Sequence, residues 1–305
     1  MTIAAYLGIY LGFAIFVCAS VYRAVQYARL PVHLRWDLYP VPHEEARRAA
    51  YGGSYFETTN WWTRPQKPNR IGELSVMVPE ITFLKALWEF NRKLWYASYL
   101  FHGGLYITFG CAVLLILRAL LAGASVHSPV FDITCRALGW VAVITTIAGS
   151  LALLWRRVRD PQLKNYTHRA DLFNLIFFAM TYAVLGISFL TRPADASSTA
   201  AFVRGLLTFD TSVRVSAVLA CGLLLASALL AYIPFTHMTH FIAKYFTYHT
   251  VRWDDRATVP GSDVAAKVQG YLAYKPTWSA PHVAADGKKT WAEIVTTNPP
   301  QEVRK

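Results

Sequence analysis

Five stretches of the chain are continuously apolar over lengths that suit a lipid bilayer. A helix needs about 20 apolar residues to cross about 30 Å of hydrocarbon. The stretches cover residues 3–25, 94–121, 138–155, 172–190 and 213–242. The third is short and the fifth is long, so we expect tilting or an extension along the membrane surface. The pattern predicts an all-α integral membrane protein built as a bundle of five transmembrane helices.

The polar segments between these stretches divide the chain into four regions. Residues 1–29 hold the first transmembrane helix, residues 94–246 the other four, and residues 247–305 a polar tail. Residues 30–93 form a large loop, in which residues 71–90 have the composition of an amphipathic interfacial helix. The tail has too little apolar periodicity for a domain, so we expect it to lie along a partner or to be partly disordered.

Aromatic turns are frequent in the large loop, with the motifs R-W-D-L-Y-P, Y-G-G-S-Y-F-E and W-W-T-R-P. Such turns are typical of an aromatic belt at the membrane interface. They are equally typical of a docking surface for another protein. The pattern favours neither interpretation over the other.

Basic residues predict the orientation in the membrane. The connection between the third and fourth stretches carries five of them: Arg156, Arg157, Arg159, Lys164 and Arg169. The connection at residues 122–134 carries none, and residues 191–212 carry only two. Because Lys and Arg concentrate in cytoplasmic loops, we expect the N-terminus outside and both the large loop and the C-terminus in the cytoplasm. The expected location is the bacterial inner membrane.

Composition agrees with burial in lipid. The 305 residues are 54% hydrophobic and 16% charged, against about 25% charged in soluble domains. The net charge of +12 is better explained by membrane topology than by a nucleic-acid partner, because the basic residues flank the apolar stretches. The four cysteines form no C-x-x-C pair, which argues against an iron–sulfur cluster or structural zinc in this chain.

His102 and His240 lie at matching depth inside two of the apolar stretches. His102 stands about eight residues into the second stretch, and His240 about one turn before the end of the fifth. Ionisable side chains inside a membrane are costly and mark functional sites. Two facing imidazoles are what an axially ligated haem iron requires. We therefore predict haem b between His102 and His240, with room for the macrocycle left by Gly103, Gly104 and Gly110.

His237 is the alternative ligand from the fifth stretch. It lies three residues before His240 and so on nearly the same helix face. Pro234 can kink the helix just before both, and the residues alone leave the choice open. For the histidines of the loops and the tail we expect surface or hydrogen-bonding roles: His33, His43, His127, His249 and His282.

The basic connection offers partners for haem propionates. Arg156, Arg157 and Arg169 suit this role because guanidinium groups pair well with carboxylates. His168 is expected as a helix-start residue or as a contact to a propionate or a quinone. Quinone chemistry also needs a proton donor. The candidates are His237, His168, Lys85, Glu80 and Glu89.

Three motifs resemble the respiratory nitrate reductase gamma-subunit family, whose members are five-helix di-haem cytochromes b. They are A-S-Y-L-F-H-G-G around His102, W-R-R…P…T-H-R-A-D around His168 and P-F-T-H-M-T-H around His240. In that family the histidine six residues after the P-F proline ligates the cytoplasm-side haem together with the F-H-x-G histidine. The resemblance covers roughly residues 94–246 and implies the pair His102 and His240.

The second haem of that family has no ligands in this chain. The position ten residues beyond His102 is Ala112, and no histidine occurs between Arg214 and Pro234. We therefore predict one haem b. The loop and the tail segment K-Y-F-T-Y-H-T-V-R-W-D-D look like gamma-like cytochromes b that accompany heterodisulfide-reductase-like iron–sulfur subunits. The resemblance implies electron transfer between such a cytoplasmic partner and the membrane quinone pool.

A haem-free membrane anchor that recruits soluble redox subunits is the alternative function. A transporter is disfavoured, because the stretches show no paired broken helices and carry few charges.

Overall fold

The computed structural model describes residues 1–29, 46–50, 59, 69–121, 129–193, 197–247, 259–278, 283 and 285–296. The five loop and tail histidines and the aromatic motifs of residues 35–65 lie outside these ranges. The described residues form helices, with no extended strand among them. In chain order these are α1 (Thr2–Arg29), α2 (Ala46–Ala49), α3 (Arg70–Phe83), α4 (Lys85–Phe90), α5 (Arg92–Leu121), α6 (Pro129–Arg159), α7 (Pro161–Lys164), α8 (Arg169–Leu190), α9 (Thr199–Thr208), α10 (Ala217–Tyr232), α11 (His240–Thr247), α12 (Asp263–Leu272) and α13 (Trp291–Thr296).

Five of these helices are long and apolar enough to cross a membrane, namely α1, α5, α6, α8 and α10. The predicted all-α bundle of five transmembrane helices is therefore confirmed. The described residues group into two units. The first contains residues 1–20 and 77–238, and the second contains residues 21–76 and 239–305.

In the first unit, α5 and α6 pack antiparallel along their whole length. Gly149 lies against the backbone of Phe101, and near the other end Arg118 binds Asp132 at 2.7 Å. Close approach at glycine is the usual device for packing helices in lipid, where no hydrophobic force drives them together. The α5–α6 contact thus fixes the depth at which α5 residues lie in the bundle.

The remaining spans of the first unit also alternate in direction along the chain. Helices α6 and α8 are antiparallel, with Gly139 near Phe189 at one end and Arg157 3.5 Å from Asp171 at the other. Helix α10 runs antiparallel to α8, and its Gly222 packs on Leu185. Helix α1 is parallel to α10, with Gly8 near Leu224 and Gly12 near Ser227. The order of directions is that expected for five successive crossings.

The third span is longer than predicted. Helix α6 begins at Pro129 and has 31 residues, so the expectation of a short crossing over residues 138–155 was wrong. The apolar run is interrupted by Asp132 and Arg136, which is why the pattern placed the start later. Asp132 is neutralised by Arg118 of α5, and this ion pair allows the helix to extend through a charged position.

The fifth span is shorter and broken. Helix α10 ends at Tyr232 and is followed by two short 3-10 turns, separated by the extended residue Thr236. Pro234 supplies no N–H and its ring clashes with the preceding turn. A continuous span over residues 213–242 was therefore a wrong prediction, and His240 is the first residue of α11 instead of lying within the fifth span.

The amphipathic segment of residues 71–90 is helical as predicted but divided. Helix α3 ends at Phe83, Leu84 adopts a left-handed conformation with φ of 52°, and α4 starts at Lys85. The Glu80 carboxylate accepts a hydrogen bond from the Ala86 backbone N–H at 2.8 Å. This side chain thereby satisfies a donor that the break leaves without a helical partner.

Three short helices were missed in regions read as loop or tail. Ser198 and Ser262 accept backbone N–H bonds at the starts of α9 and α12. At α13, Thr290 and Glu293 form a reciprocal capping box. The Thr290 backbone N–H holds the pKa of Glu293 below its ordinary value. These caps stabilise short helices that lack apolar periodicity, which is why the hydropathy pattern did not predict them.

The α5–α6 contact predicts unequal effects of alanine at two glycines. A Cβ at Gly149 would fall 2.6 Å from the Phe101 Cα, whereas a Cβ at Gly110 meets nothing within 4 Å. We expect Gly149→Ala to lower the free energy of unfolding by about 1–3 kcal/mol. Thermal unfolding in detergent measures this, with Gly110→Ala as the matched control. Equal stability of the two variants would contradict the packing described.

Candidate functional site

Polar side chains from three spans meet at one end of the bundle. We call it the basic end, where α6 finishes and α8 starts. Asp171, 8% exposed, accepts a hydrogen bond from the His168 backbone N–H at 2.9 Å. Its carboxylate also lies 3.2 Å from His237 Nε2 and 3.5 Å from an Arg157 guanidinium nitrogen. One buried carboxylate therefore connects α6, α8 and the chain just after α10.

The other basic residues predicted for this end are placed differently. Arg156 binds Asp160 at 2.8 Å, and Asp160 also caps α7 through the Gln162 N–H. His168 and Arg169 are both exposed. Arg156 and Arg157 thus each have a carboxylate partner within the protein, while His168 and Arg169 present their side chains to the surroundings.

His102 is oriented by its own helix. Its Nδ1 lies 2.8 Å from the Ser98 carbonyl oxygen and 3.3 Å from the Ser98 hydroxyl. Because a carbonyl can only accept, Nδ1 carries the hydrogen, and in the neutral ring Nε2 is the nitrogen with the lone pair. Histidines that ligate metals are commonly arranged in this way, with Nδ1 bonded to the backbone and Nε2 carrying the lone pair.

The face of α5 that carries His102 also receives the end of α3. Trp95 Nε1 donates to the Phe83 carbonyl at 2.7 Å, and the Tyr106 hydroxyl donates to the Ile81 carbonyl at 2.6 Å. The last carbonyls of a helix have no partners within it. Two aromatic side chains on either side of His102 satisfy them, and so position α3 beside this histidine.

The three glycines after His102 serve two purposes. An added Cβ at Gly103 or Gly110 would meet nothing within 4 Å, so both glycines lie on an open side of α5. Gly104 is different, because its Cβ would fall on the side chain and backbone of Thr146. The prediction that Gly104 leaves room for the macrocycle was wrong, because this glycine is a packing contact with α6.

His237 and His102 lie at different depths. Helices α5 and α8 run parallel, with the Phe101 and Phe178 rings 4.9 Å apart. Asp171 comes seven residues before Phe178, so the cluster that holds His237 lies about 10 Å nearer the basic end than His102. His240 begins α11 in the second unit and is exposed. The structure therefore brings together His237, Arg157 and Asp171, and keeps His102 apart from them.

The proton-donor candidates on α3 and α4 have local partners. Lys85 and Glu89 pair at 3.7 Å across one turn, with side chains 55% and 49% exposed. Glu80 is buried and caps α4. All three lie in the first unit beside the start of α5.

Sequence reasoning missed Asp171 and Ser98. The signal for Asp171 was present in T-H-R-A-D, because an acidic residue three positions after a helix start is typical of a capping arrangement. For Ser98 the four-residue spacing to His102 was the signal, since residues i and i+4 share a helix face.

The Asp171 cluster predicts a larger effect of neutralisation than an exposed ion pair. Asp171→Asn leaves the Arg157 charge without its buried partner, and we expect stability to fall by about 1–3 kcal/mol. Glu89→Gln is the control, since exposed pairs contribute under about 1 kcal/mol. Thermal unfolding of both variants measures the difference. A larger loss for Glu89→Gln than for Asp171→Asn would refute the role given to Asp171.

Comparison with known proteins identifies the family of the chain. A family model described as nitrate reductase gamma subunit matches residues 87–254. A search of curated proteins returns no match. The matched region runs from α4 through α11, includes His102, Asp171, His237 and His240, and covers more than half of the chain. The chain belongs to the nitrate reductase gamma subunit family.

Proposed function

We propose that this chain is the haem b subunit of a membrane complex that exchanges electrons between a cytoplasmic iron–sulfur subunit and the membrane quinone pool. Family membership supports a membrane cytochrome b-type subunit of a respiratory oxidoreductase. The observation that carries the proposal is His102, a histidine inside a membrane span whose Nδ1 is bonded to a backbone carbonyl.

The residues present fit a haem. His102 offers Nε2 as a lone-pair donor, and the open sides of Gly103 and Gly110 offer space along the same helix. We assign His102 and His240 as the residues that would ligate the haem iron. His237 is the weaker candidate, because its Nε2 already lies 3.2 Å from an Asp171 carboxylate oxygen. A bis-histidine haem supplies one-electron transfer, with a potential tuned by ligation and burial.

The basic end is assigned to the haem propionates and to the aqueous boundary. His168 and Arg169 are exposed there and can bind carboxylates directly. Arg156 and Arg157 would have to share their existing carboxylate partners. We place this end, the large loop and the C-terminus in the cytoplasm of a bacterial cell, on the distribution of Lys and Arg between the connections.

The partner and the quinone follow from the same orientation. We assign the electron partner as a heterodisulfide-reductase-like iron–sulfur subunit that docks on the cytoplasmic loop. With one haem near this side, quinone reacts at the cytoplasmic half of the membrane and the subunit is not electrogenic. His237 is the proposed proton-exchanging group, with Lys85 as a second, because its imidazole is 58% exposed and oriented by a carboxylate.

Removal of the ligands should remove the haem. We expect His102→Ala and His240→Ala each to abolish the haem b absorbance of the purified chain, and His237→Ala to keep it. His168→Ala is the control for a nearby exposed histidine. The pyridine haemochrome assay should give one haem per wild-type chain. A wild-type chain without absorbance would establish the haem-free anchor instead, and two haems would refute the single site.

Replacement of His237 should slow the reaction with quinol and leave the haem content unchanged. We expect His237→Ala to slow haem reduction by a quinol analogue roughly 10- to 100-fold, the range of a lost proton-transfer group. Stopped-flow spectroscopy at the haem absorbance measures the rate. Lys85→Ala tests the second candidate and His168→Ala is the matched control. An unchanged rate in His237→Ala would exclude it from the quinone site.

A further inference from the structure

Helices α6 and α8 of the first unit each carry a stripe of polar side chains through the apolar bundle. On α8, Asp171, Asn174 and Thr181 follow one another at spacings of three and seven residues, and all are buried. These spacings place them on a single face of the helix. On α6, Arg157, Ser150 and Thr146 recur at spacings of seven and four. Both faces start at the Arg157–Asp171 pair.

The two stripes run side by side because α6 and α8 are antiparallel neighbours. Arg157 pairs with Asp171 at one end, and Val143 packs on Gly186 further along. This register places Ser150 level with Phe178 and Thr146 level with Tyr182. The Phe101–Phe178 contact then places the middle of both faces at the depth of His102. The polar side chains therefore extend about 15 Å inward from Asp171, at about 1.5 Å per residue.

Several of these side chains have buried polar atoms with no partner in the protein. Within the described residues these atoms include Ser150 Oγ, Thr181 Oγ1 and both side-chain atoms of Asn174. The exposed fractions are 1% for Ser150, 1% for Thr181 and 4% for Asn174. An unsatisfied amide or hydroxyl in a low-dielectric interior destabilises the folded protein. Four such atoms on two neighbouring stripes require an explanation.

Other hydroxyls in the spans are bonded within their own helices, unlike those of Ser150 and Thr181. Serine and threonine in membrane helices usually donate to a carbonyl of their own helix. Thr145 donates to the Val141 carbonyl at 2.7 Å, and Ser227 donates to the Leu223 carbonyl at 2.7 Å. Ser150 and Thr181 make no such bond. Both side chains are buried within the bundle, where a small polar ligand can bind their hydroxyls.

The chemistry of the lining selects water as that ligand. Hydroxyl and amide groups both donate and accept, and buried water typically makes about three such bonds. At the inner end, the Tyr182 hydroxyl is bonded to Thr108 Oγ1 at 2.8 Å and continues the polar series toward α5. At the basic end, Asp171 contacts His237, whose imidazole is 58% exposed. The series thus begins at a group in reach of solvent and ends in the middle of the bundle.

We propose that internal water molecules along the polar stripes of α6 and α8 conduct protons between the Asp171–His237 pair and the depth of His102. The proton role rests on the proposed function, because quinone and quinol differ by two electrons and two protons. Electrons leave or arrive through the cofactor, and the protons need their own route through the apolar bundle. Asn174, Ser150 and Thr181 are positioning residues, which hold the water and do not themselves react.

X-ray hydroxyl-radical footprinting of the full chain in lipid nanodiscs tests for the water. Radicals formed at bound water label adjacent side chains. We expect labelling of Phe178 and Tyr182, although they are only 5% and 6% exposed. Asn174→Leu and Thr181→Val should lose this labelling. Thr145→Val, which removes a hydroxyl bonded within its own helix, should keep it. Unlabelled rings in the wild type, or labelling that persists in Asn174→Leu, would overturn the proposal.

A second measurement tests conduction and separates it from the proposed function. In the same nanodiscs, Thr181→Val and Ser150→Ala should slow quinol-driven haem reduction and raise its solvent deuterium isotope effect, with haem content unchanged. An unchanged rate and isotope effect would overturn the proton role. If the wild type itself shows no quinol reaction, the proposed function fails, while the footprinting result still decides whether the water is present. Should Asn174→Leu not fold, Thr181→Val and Ser150→Ala carry the footprinting test.

Discussion

Polar groups inside the bilayer need a partner that lipid cannot supply, and this constraint organises the first unit. Lipid offers no hydrogen bonds, so an unpaired group costs several kcal/mol. The ion pair between Arg118 and Asp132 allows α6 to extend to 31 residues. The hydrogen bonds from Trp95 and Tyr106 satisfy the last carbonyls of α3. The Ser98 carbonyl orients His102 by the same requirement.

Asp171 shows how one carboxylate meets this requirement for three chain segments. It contacts Arg157 of α6, the start of its own helix and His237 beyond α10. A buried carboxylate is stable only when such contacts replace its hydration. In the proposed proton route this carboxylate is the point of entry, since its partner His237 reaches the surface. Structural and chemical roles therefore coincide at the basic end, and the quinone and water proposals both start there.

Much of the fold was predictable from the sequence because hydropathy reports directly on transfer into lipid. The five spans, the helical nature of residues 71–90 and the family resemblance at His102 and His240 all follow from apolar runs and short motifs. The boundaries were less predictable. Asp132 hid the start of α6 because its partner Arg118 is 14 residues earlier in the chain. The apolar residues after Pro234 concealed the break that ends α10. Helices α12 and α13 depend on side-chain caps, which leave no hydropathy signal.

The sequence by itself determined that this chain is a five-span membrane protein with histidines in costly positions, because those properties depend on composition and local spacing. The assignment of His102 as a candidate ligand needed nothing more. Only the tertiary structure decided which polar groups meet. It joined Asp171 to His237 and Arg157, placed this cluster about 10 Å from the depth of His102, and aligned Asn174 and Thr181 of α8 with Ser150 of α6. Such encounters depend on the register of antiparallel helices, which is set by close contacts at Gly149 and Gly186 that are far from these residues in the sequence.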